Sequence, residues 1–282
     1  MRANLTQVLQ AHATAAVGSF NILDLDMAQA VTACADQLAY PAIIGVASRH
    51  FDIIKAPLLT PALLAIINAA EQPIALHLDH AAPDQLDMIK QALDLGFTSI
   101  MIDGSHLPFA ENLEITAQVT ELAHRYGAGV EGELGAVAGE EGVADTGSDR
   151  AEAIPYTQAD EAAEFVSHTG IDALAIAVGT AHGIYTQAPH ISFETIRNVA
   201  SAVDLPLVMH GATGVTDADI RESVNCGIRK INFFSGLLQT AMDQVRAHSG
   251  CTNNDYLGFK QKQAEAWQQL ILAQMQLYTG LK

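Results

Sequence analysis

Positive charge is scarce in this chain. Fourteen Lys and Arg stand against 32 Asp and Glu among 282 residues, a formal net charge of -18. Such an imbalance repels phosphate backbones and anionic headgroups, and no local cluster of basic residues offsets it. Neither nucleic acid nor a membrane surface is therefore expected as a partner. Cysteine is equally sparse: Cys34, Cys226 and Cys251 are odd in number, widely separated and without a CxxC pair. That argues against a disulfide framework or a thiolate metal site. No stretch approaches 18 uncharged apolar residues, and Met1-Arg2-Ala3-Asn4-Leu5-Thr6-Gln7 has no apolar core behind its charge. The expectation is a soluble, cytoplasmic protein with reduced thiols.

What is abundant is apolar: 49% of the residues are hydrophobic, too many for a disordered chain. Length leaves one or two domains open, because single α/β barrels run to roughly 250 residues and beyond. The pattern decides between them. Short, β-branched apolar runs alternate with longer stretches of helical spacing, the signature of parallel βα units. Eight runs are present: Val17–Asn21, Ala42–Val46, Ile74–Asp79, Ser99–Asp103, Gly129–Leu134, Ala173–Val178, Pro206–His210 and Arg229–Phe233. Between them, Asp84–Leu95 shows Leu86, Ile89, Lys90 and Leu93 at intervals of three and four before Gly96 stops the helix, and Gly170 and Gly227 end later helices. Near-continuous Ile, Val, Leu and Ala imply strands covered on both faces. The fold class expected is α/β, a (β/α)8 TIM barrel spanning residues 1–282 as a single domain, with an additional C-terminal helical segment.

Nearly every run finishes in a chemically capable residue: Asn21, Asp79-His80, Asp103, Glu133, His210, Asn232. In a barrel those ends converge on the catalytic face. Residues 135–158, rich in Gly, Ala, Glu and Asp, read as a long loop after the fifth strand that cannot pack as core, and loops of that length are commonly lids. Tyr256 to about Leu277 reads as an amphipathic helix with Trp267, Leu270, Ile271 and Met275 on its apolar face, suited to capping the barrel or to an oligomer contact.

Of eleven histidines, His12, His50, His124, His168, His190 and His248 read as surface residues without a ligand-type partner. His80, His182 and His210 follow the third, sixth and seventh strands, and a barrel would bring them within reach of one ion. Three neutral imidazoles with an open position form a catalytic site for a divalent transition metal. His77 shares strand parity with Asp79 and reads as an inward, hydrogen-bonded histidine. Asp79 either exchanges a proton at a bound carbonyl or orients a neighbouring histidine. Gly183, Gly211-Ala212-Thr213-Gly214 and the stretch from Asn232 to Ser235 offer backbone N–H groups and hydroxyls at strand ends, where barrels hold phosphate. Arg49, after the second strand, is either a solvated loop residue or a partner for a distal phosphate or carboxylate.

These residues resemble a known family. From Ser19-Phe20-Asn21-Ile22 through His77-Leu78-Asp79-His80, Met101-Ile102-Asp103-Gly104-Ser105-His106-Leu107-Pro108, Glu131-Gly132-Glu133-Leu134-Gly135, Gly179-Thr180-Ala181-His182-Gly183, His210-Gly211-Ala212-Thr213-Gly214 and Lys230-Ile231-Asn232, the chain is similar to the class II, metal-dependent ketose-bisphosphate aldolases, particularly their tagatose-bisphosphate branch. The resemblance implies zinc, or another divalent transition metal, on His80, His182 and His210, with Asp103 and Glu133 as alternative or outer ligands. It implies a phosphosugar substrate, its donor half bound on Asn21, Gly183, Gly211, Thr213, Asn232 and Ser235 near a monovalent cation, Na+ or K+. Glu141, or its neighbour Glu140, would be the base that takes a C–H proton from dihydroxyacetone phosphate. Asp79 would serve the aldehyde oxygen, and the protein would assemble as a homodimer or homotetramer.

The chain also departs from that family. Thr213 replaces a Ser, Asn232-Phe233-Phe234-Ser235-Gly236 replaces Asn-x-x-Thr and an acid, and Ala138-Gly139-Glu140-Glu141-Gly142 replaces Gly-Gly-x-Glu-Asp. Leu23-Asp24 replaces a His-Asn-type pair, and Ala47 replaces a Ser or Thr. A different function on the same barrel would be a catalytically silent, phosphosugar-binding or partner-stabilising subunit, for which retaining Asp79, His80, Glu141, His182 and His210 serves no purpose. A metal hydrolase would place an HxH pair on the first strand, where Asn21 stands instead.

Overall fold

A computed structural model describes residues 1–10, 14–137, 139, 155–183, 185, 189–249 and 255–281. Eight parallel strands close into a barrel in sequence order: β1 (Val17–Asn21), β2 (Ala42–Ala47), β3 (Ile74–Ala81), β4 (Ser99–Ile102), β5 (Gly129–Leu134), β6 (Ala173–Ile176), β7 (Leu207–Met209) and β8 (Ile228–Phe233). Closure is made by β8 lying against β1, with Asn232 opposite Ser19. The strands are buried almost throughout, as expected where helices cover the outside.

The helices are α1 (Leu5–Gln10), α2 (Leu25–Leu38), α3 (Ala56–Ala69), α4 (Leu86–Leu95), α5 (Phe109–Arg125), α6 (Ala159–Thr169), α7 (Phe193–Ala202), α8 (Asp217–Cys226), α9 (Ser235–His248) and α10 (Tyr256–Thr279). Their starts follow local chemistry: the side chains of Asp24, Ser192 and Thr216 accept the orphan N–H groups of α2, α7 and α8. Gly96 and Gly170 close α4 and α6 in the left-handed conformation. Helix α4 starts at Leu86 rather than Asp84, and Leu86 and Lys90 face outward while Ile89, Ala92 and Leu93 supply the buried stripe.

Period-two alternation sorts the strand residues. Ser19 and Asn21, His77 and Asp79, Glu131 and Glu133, and Lys230 and Asn232 are polar pairs two apart inside otherwise apolar runs, and all eight side chains are buried. Their intervening neighbours, Phe20, Leu78, Gly132 and Ile231, face the helical layer instead. The inside of the barrel is therefore polar towards its C-terminal mouth, and the apolar core lies between sheet and helices.

Helix α10 lies along α2 and α9 and reaches the start of β1. Its buried face is Trp267, Ile271, Met275 and Tyr278, with Leu270 only partly covered. Trp267 Nε1 donates to Leu237 O at 3.0 Å, and Ala16 N donates to Tyr278 O at 3.2 Å. The helix is thus an integral wall of the barrel. Parts of the loop after β5 are also core: Val137 and Thr157 are buried, the latter because its hydroxyl bonds Leu134 O at 2.5 Å and Ala177 N at 2.9 Å. Among the described residues, no helix is long and apolar enough to cross a membrane.

Trp267 is the sole tryptophan of the chain. Trp267→Ala is expected to cost about 3–5 kcal/mol, the usual loss when a buried aromatic leaves a cavity. Urea unfolding followed by circular dichroism measures it, and a loss below about 1 kcal/mol would mean that α10 is peripheral.

Candidate active site

Strand β3 delivers two adjacent chemical residues, which regular alternation forbids. With Asp79 facing inward, His80 should face the helices. The backbone breaks the alternation at His80, whose φ of 50° is left-handed, and the pairing with β4 shifts between Leu78 and Ala81. Such an irregularity re-aims a side chain. A non-glycine residue in this region costs about 1–2 kcal/mol; the Ser48 hydroxyl holds the kink by donating to His80 O at 2.6 Å.

The kink brings His80 to the imidazoles supplied after β6 and β7. Ring centroids lie 4.8 Å apart for His80 and His182, 4.5 Å for His80 and His210, and 5.8 Å for His182 and His210. One ring nitrogen from each falls within 4.8 Å of the others. His80 Nε2 and His210 Nδ1 are 3.0 Å apart, close to the ~3.3 Å that two imidazoles on one tetrahedral ion require. His182 Nε2 is buried with no hydrogen-bond partner among the described residues. An orphaned nitrogen on a ring packed beside two other imidazoles is what a divalent cation would satisfy, so the donor set fits such an ion.

The other edge of His80 faces carboxylates, with Nδ1 3.3 Å from Asp103 Oδ2 and 4.0 Å from Glu133 Oε2. Asp103 is itself fixed by Ser105, whose backbone N–H and hydroxyl donate at 3.0 and 2.6 Å. His80, Asp103 and Glu133 form a second group close enough to hold an ion. The two groups use opposite nitrogens of His80.

Asp79 is fully buried and held from two sides: Asn21 Nδ2 donates to Oδ2 at 2.7 Å, and Asn232 Nδ2 to Oδ1 at 3.1 Å. Gly45 makes room for Asn21, since a Cβ there would lie 2.0 Å from its Oδ1. Two residues absent from the sequence-based set complete the interior. Glu131 Oε1 accepts from His210 Nε2 at 2.8 Å, and its Oε2 is 2.7 Å from Lys230 Nζ, an ion contact more than a well-directed hydrogen bond. The signal for both was their spacing, Glu131 two before Glu133 and Lys230 two before Asn232. His77, as expected, is buried and bonded, with Ser99 Oγ at 2.7 Å from Nδ1.

Charge explains the electrostatics. Burial opposes a charged His80, but Asp79, Asp103 and Glu133 outweigh it and hold its pKa well above the ordinary value. Burial alone would raise Asp79, yet His80, His77, His210 and Lys230 hold it well below the carboxylate range. Glu131 falls to about 2 because Lys230 and His210 overcome its burial. Burial, then repulsion from Asp103, raises Glu133 well above normal, and burial with two imidazole neighbours pushes His182 well down.

The phosphate candidates divide. Gly183, Gly211, Thr213, Asn232 and Ser235 line one small recess with His182 and Phe234, at the N-terminus of α9, where Gly236 N donates to Thr213 Oγ1 at 3.3 Å. Asn21 spends its amide on Asp79 instead. Gly211 has a φ of 67°, and a Cβ there would meet Ala181 O at 2.3 Å. Tyr185, another residue unread in the sequence, ties these loops together. Its hydroxyl accepts from Ala181 N at 2.6 Å and lies 2.8 Å from the carbonyls of Ala181 and Gly211; burial lifts its pKa to about 12. Phe233 and Phe234 are buried, the first against Phe20 and the second 5.4 Å from His50. Arg49 and His106 line a larger cavity of about 370 Å³ with Ala47, Ser48, His80 and Asp103. Of the histidines read as surface residues, His124 does have a partner, Asp172 at 2.9 Å. Glu140 and Glu141 lie outside the described residues, as do His12 and Cys251.

A barrel that gathers ionisable side chains at the C-terminal ends of its strands is built as an enzyme of the (β/α)8 class. Residues 3–280 match the family described as fructose-bisphosphate aldolase, class II. A probable fructose-bisphosphate aldolase of Bacillus subtilis (strain 168) is 40% identical over 220 residues, 77% of this chain and 75% of the relative. Among solved structures, the YdjI aldolase of Escherichia coli K12 has a TM-score of 0.86 and 30% identity, covering 99% of this chain and 97% of its own. A putative fructose-1,6-bisphosphate aldolase of Coccidioides immitis has a TM-score of 0.85 and 28% identity, covering 97% and 94%. The chain belongs to the class II fructose-bisphosphate aldolase family and is an aldolase, a carbon–carbon lyase. That family is in general metal-dependent, and the residues described here could hold the ion.

Two outcomes are expected of the metal group. Supplying zinc at about 1,000 times its Kd should stabilise the fold by about 4 kcal/mol over the chelated protein, read as a rise in Tm. Asp103→Asn should weaken zinc binding about 10–100-fold in a chelator competition, because it releases His80. Equal affinity would show that Asp103 does not orient the ring.

Proposed function

We propose that the protein is a zinc-dependent aldolase that cleaves a ketose phosphate or bisphosphate reversibly to dihydroxyacetone phosphate and an aldehyde such as glyceraldehyde 3-phosphate. The observation that carries the reading is the meeting of His80, His182 and His210 above a buried, ionised Asp79. His80, His182 and His210 would hold a divalent ion, which would supply Lewis-acid polarisation of the substrate carbonyl and so acidify the neighbouring C–H bond.

In cleavage, Asp79 takes the proton of the C4 hydroxyl as the C3–C4 bond breaks, and the released aldehyde keeps the oxygen. A glutamate of the loop after β5, Glu141 or Glu140, then returns a proton to C3 of the donor fragment. In condensation the same groups act in reverse. Each oxygen of Asp79 accepts one amide hydrogen bond and retains a lone pair for this work. Asp103 and Glu133 orient His80 or stand in as ligands along its other edge.

The donor phosphate rests in the recess of Gly183, Gly211, Thr213, Asn232 and Ser235, where backbone N–H groups and the N-terminus of α9 favour an anion. A monovalent cation, Na+ or K+, would offset the repulsion between phosphate and an acidic protein. Arg49 faces the larger cavity, where the aldehyde half and its distal phosphate or carboxylate would lie. The protein works as a cytoplasmic homodimer or homotetramer, with residues 1–282 as one domain.

The test is solvent deuterium entering the hydroxymethyl position of dihydroxyacetone phosphate, followed by proton NMR. Exchange is expected with zinc, lost on chelation and regained on restoring zinc. A folded, zinc-loaded protein without exchange would favour the silent phosphosugar-binding subunit. Arg49→Ala should raise the aldehyde KM about tenfold, the loss of one charge-assisted contact, while donor exchange is unchanged. Unaltered aldehyde kinetics would remove Arg49 from the site.

A further inference from the structure

Lys230 is the one Lys or Arg buried among the described residues, and nothing in the reaction uses it. Taking an ammonium out of water costs several kcal/mol unless it is paired, so its surroundings matter. Its Nζ lies 2.7 Å from Glu131 Oε2 and donates to Asn232 Oδ1 at 2.6 Å. Lysine offers three donors and no acceptor. Only the oxygen of the Asn232 amide can therefore face it, which turns Nδ2 the other way, 3.1 Å from Asp79 Oδ1 and 3.1 Å from His210 Nδ1.

Glu131 makes the complementary choice for His210. A carboxylate only accepts, so the 2.8 Å contact at Oε1 puts the ring proton on Nε2 and leaves the lone pair of Nδ1 towards His80 and His182. One carboxylate serves two donors, one oxygen each. A glutamine of the same shape has a single acceptor oxygen and could satisfy only one.

We infer that the Glu131–Lys230 ion pair is a positioning device that sets the Asn232 amide gripping Asp79 and the tautomer of His210. It presents both groups to the site from below while touching neither substrate nor ion. The catalytic consequence rests on the aldolase reading; the tautomer consequence does not.

The two consequences are measured separately. Lys230→Met keeps the apolar stem and removes the ammonium. C–C cleavage, which needs an oriented Asp79, should fall about 100-fold in kcat, the lower range for a general acid–base group. The ketose KM should stay within about threefold and donor C–H exchange, which does not use Asp79, within about fivefold. Equal losses in cleavage and exchange, or no loss in either, would overturn the inference. Should Lys230→Met not fold, Glu131→Gln combined with Lys230→Met removes both buried charges and, assayed at zinc concentrations that saturate the weakened site, carries the same comparison.

Wild-type protein inactive in both assays would sink the aldolase reading and leave the second measurement standing. In imidazole nitrogen-15 spectra of the zinc-free wild-type protein, His210 should carry its proton on Nε2. Glu131→Gln should mix the tautomers and weaken zinc binding about 10–100-fold in a chelator competition. A wild-type His210 protonated on Nδ1 would overturn the inference whatever the kinetics.

Discussion

Charge sealed inside a barrel must be balanced within a few ångströms, because the interior offers no water to do it. Asp79, Glu131 and Glu133 are buried here, with Asp103 only slightly exposed, and Lys230 is the only permanent cation among them. The imidazoles take up the difference. His80 is drawn to its charged form by three carboxylates, His210 gives its Nε2–H to Glu131, and among the described residues His182 is left with an unpartnered nitrogen. The surplus of acid over base, which argued against polyanionic partners at the level of the whole chain, reappears locally as a site that lacks positive charge. A divalent ion is the economical remedy, and it explains why histidines and carboxylates meet at one point.

That balance depends on backbone geometry that few residues supply. Alternation along β3 can face Asp79 or His80 into the barrel, not both. The left-handed turn at His80, held by Ser48, is what allows a carboxylate and an imidazole from adjacent positions to face the same site. Gly45, on the neighbouring strand β2, and Gly211, after β7, yield space to the Asn21 amide and the Ala181 carbonyl. Of the three non-glycine residues with positive φ among the described residues, His80 alone belongs to the site; Ala39 and Lys55 lie at helix ends.

The mouth of the barrel shows a division of labour. One side, after β6 to β8, is small, rich in glycine and hydroxyls, and braced by Tyr185. The other, after β2 to β4, is wider and carries Arg49 and His106. Phe233 and Phe234, between Asn232 and Ser235 of the recess, are spent on packing against Phe20 and His50.

By itself the sequence determined the eight strands, their parallel order and their chemically capable ends, because period-two alternation, helical spacing and glycine stops are local properties. It also marked His80, His182 and His210, since each follows an apolar run. The tertiary structure decided the rest. Nothing local says that β8 closes on β1, so the grip of Asn232 on Asp79, 153 positions away, could not be read along the chain. The same holds for Glu131 with Lys230 and His210: a polar residue within a strand reads as merely inward-facing until closure supplies its partner. The kink at His80 is invisible for a further reason. It opposes the preference of the residue itself, and only Ser48 and the shifted β3–β4 pairing hold it in place.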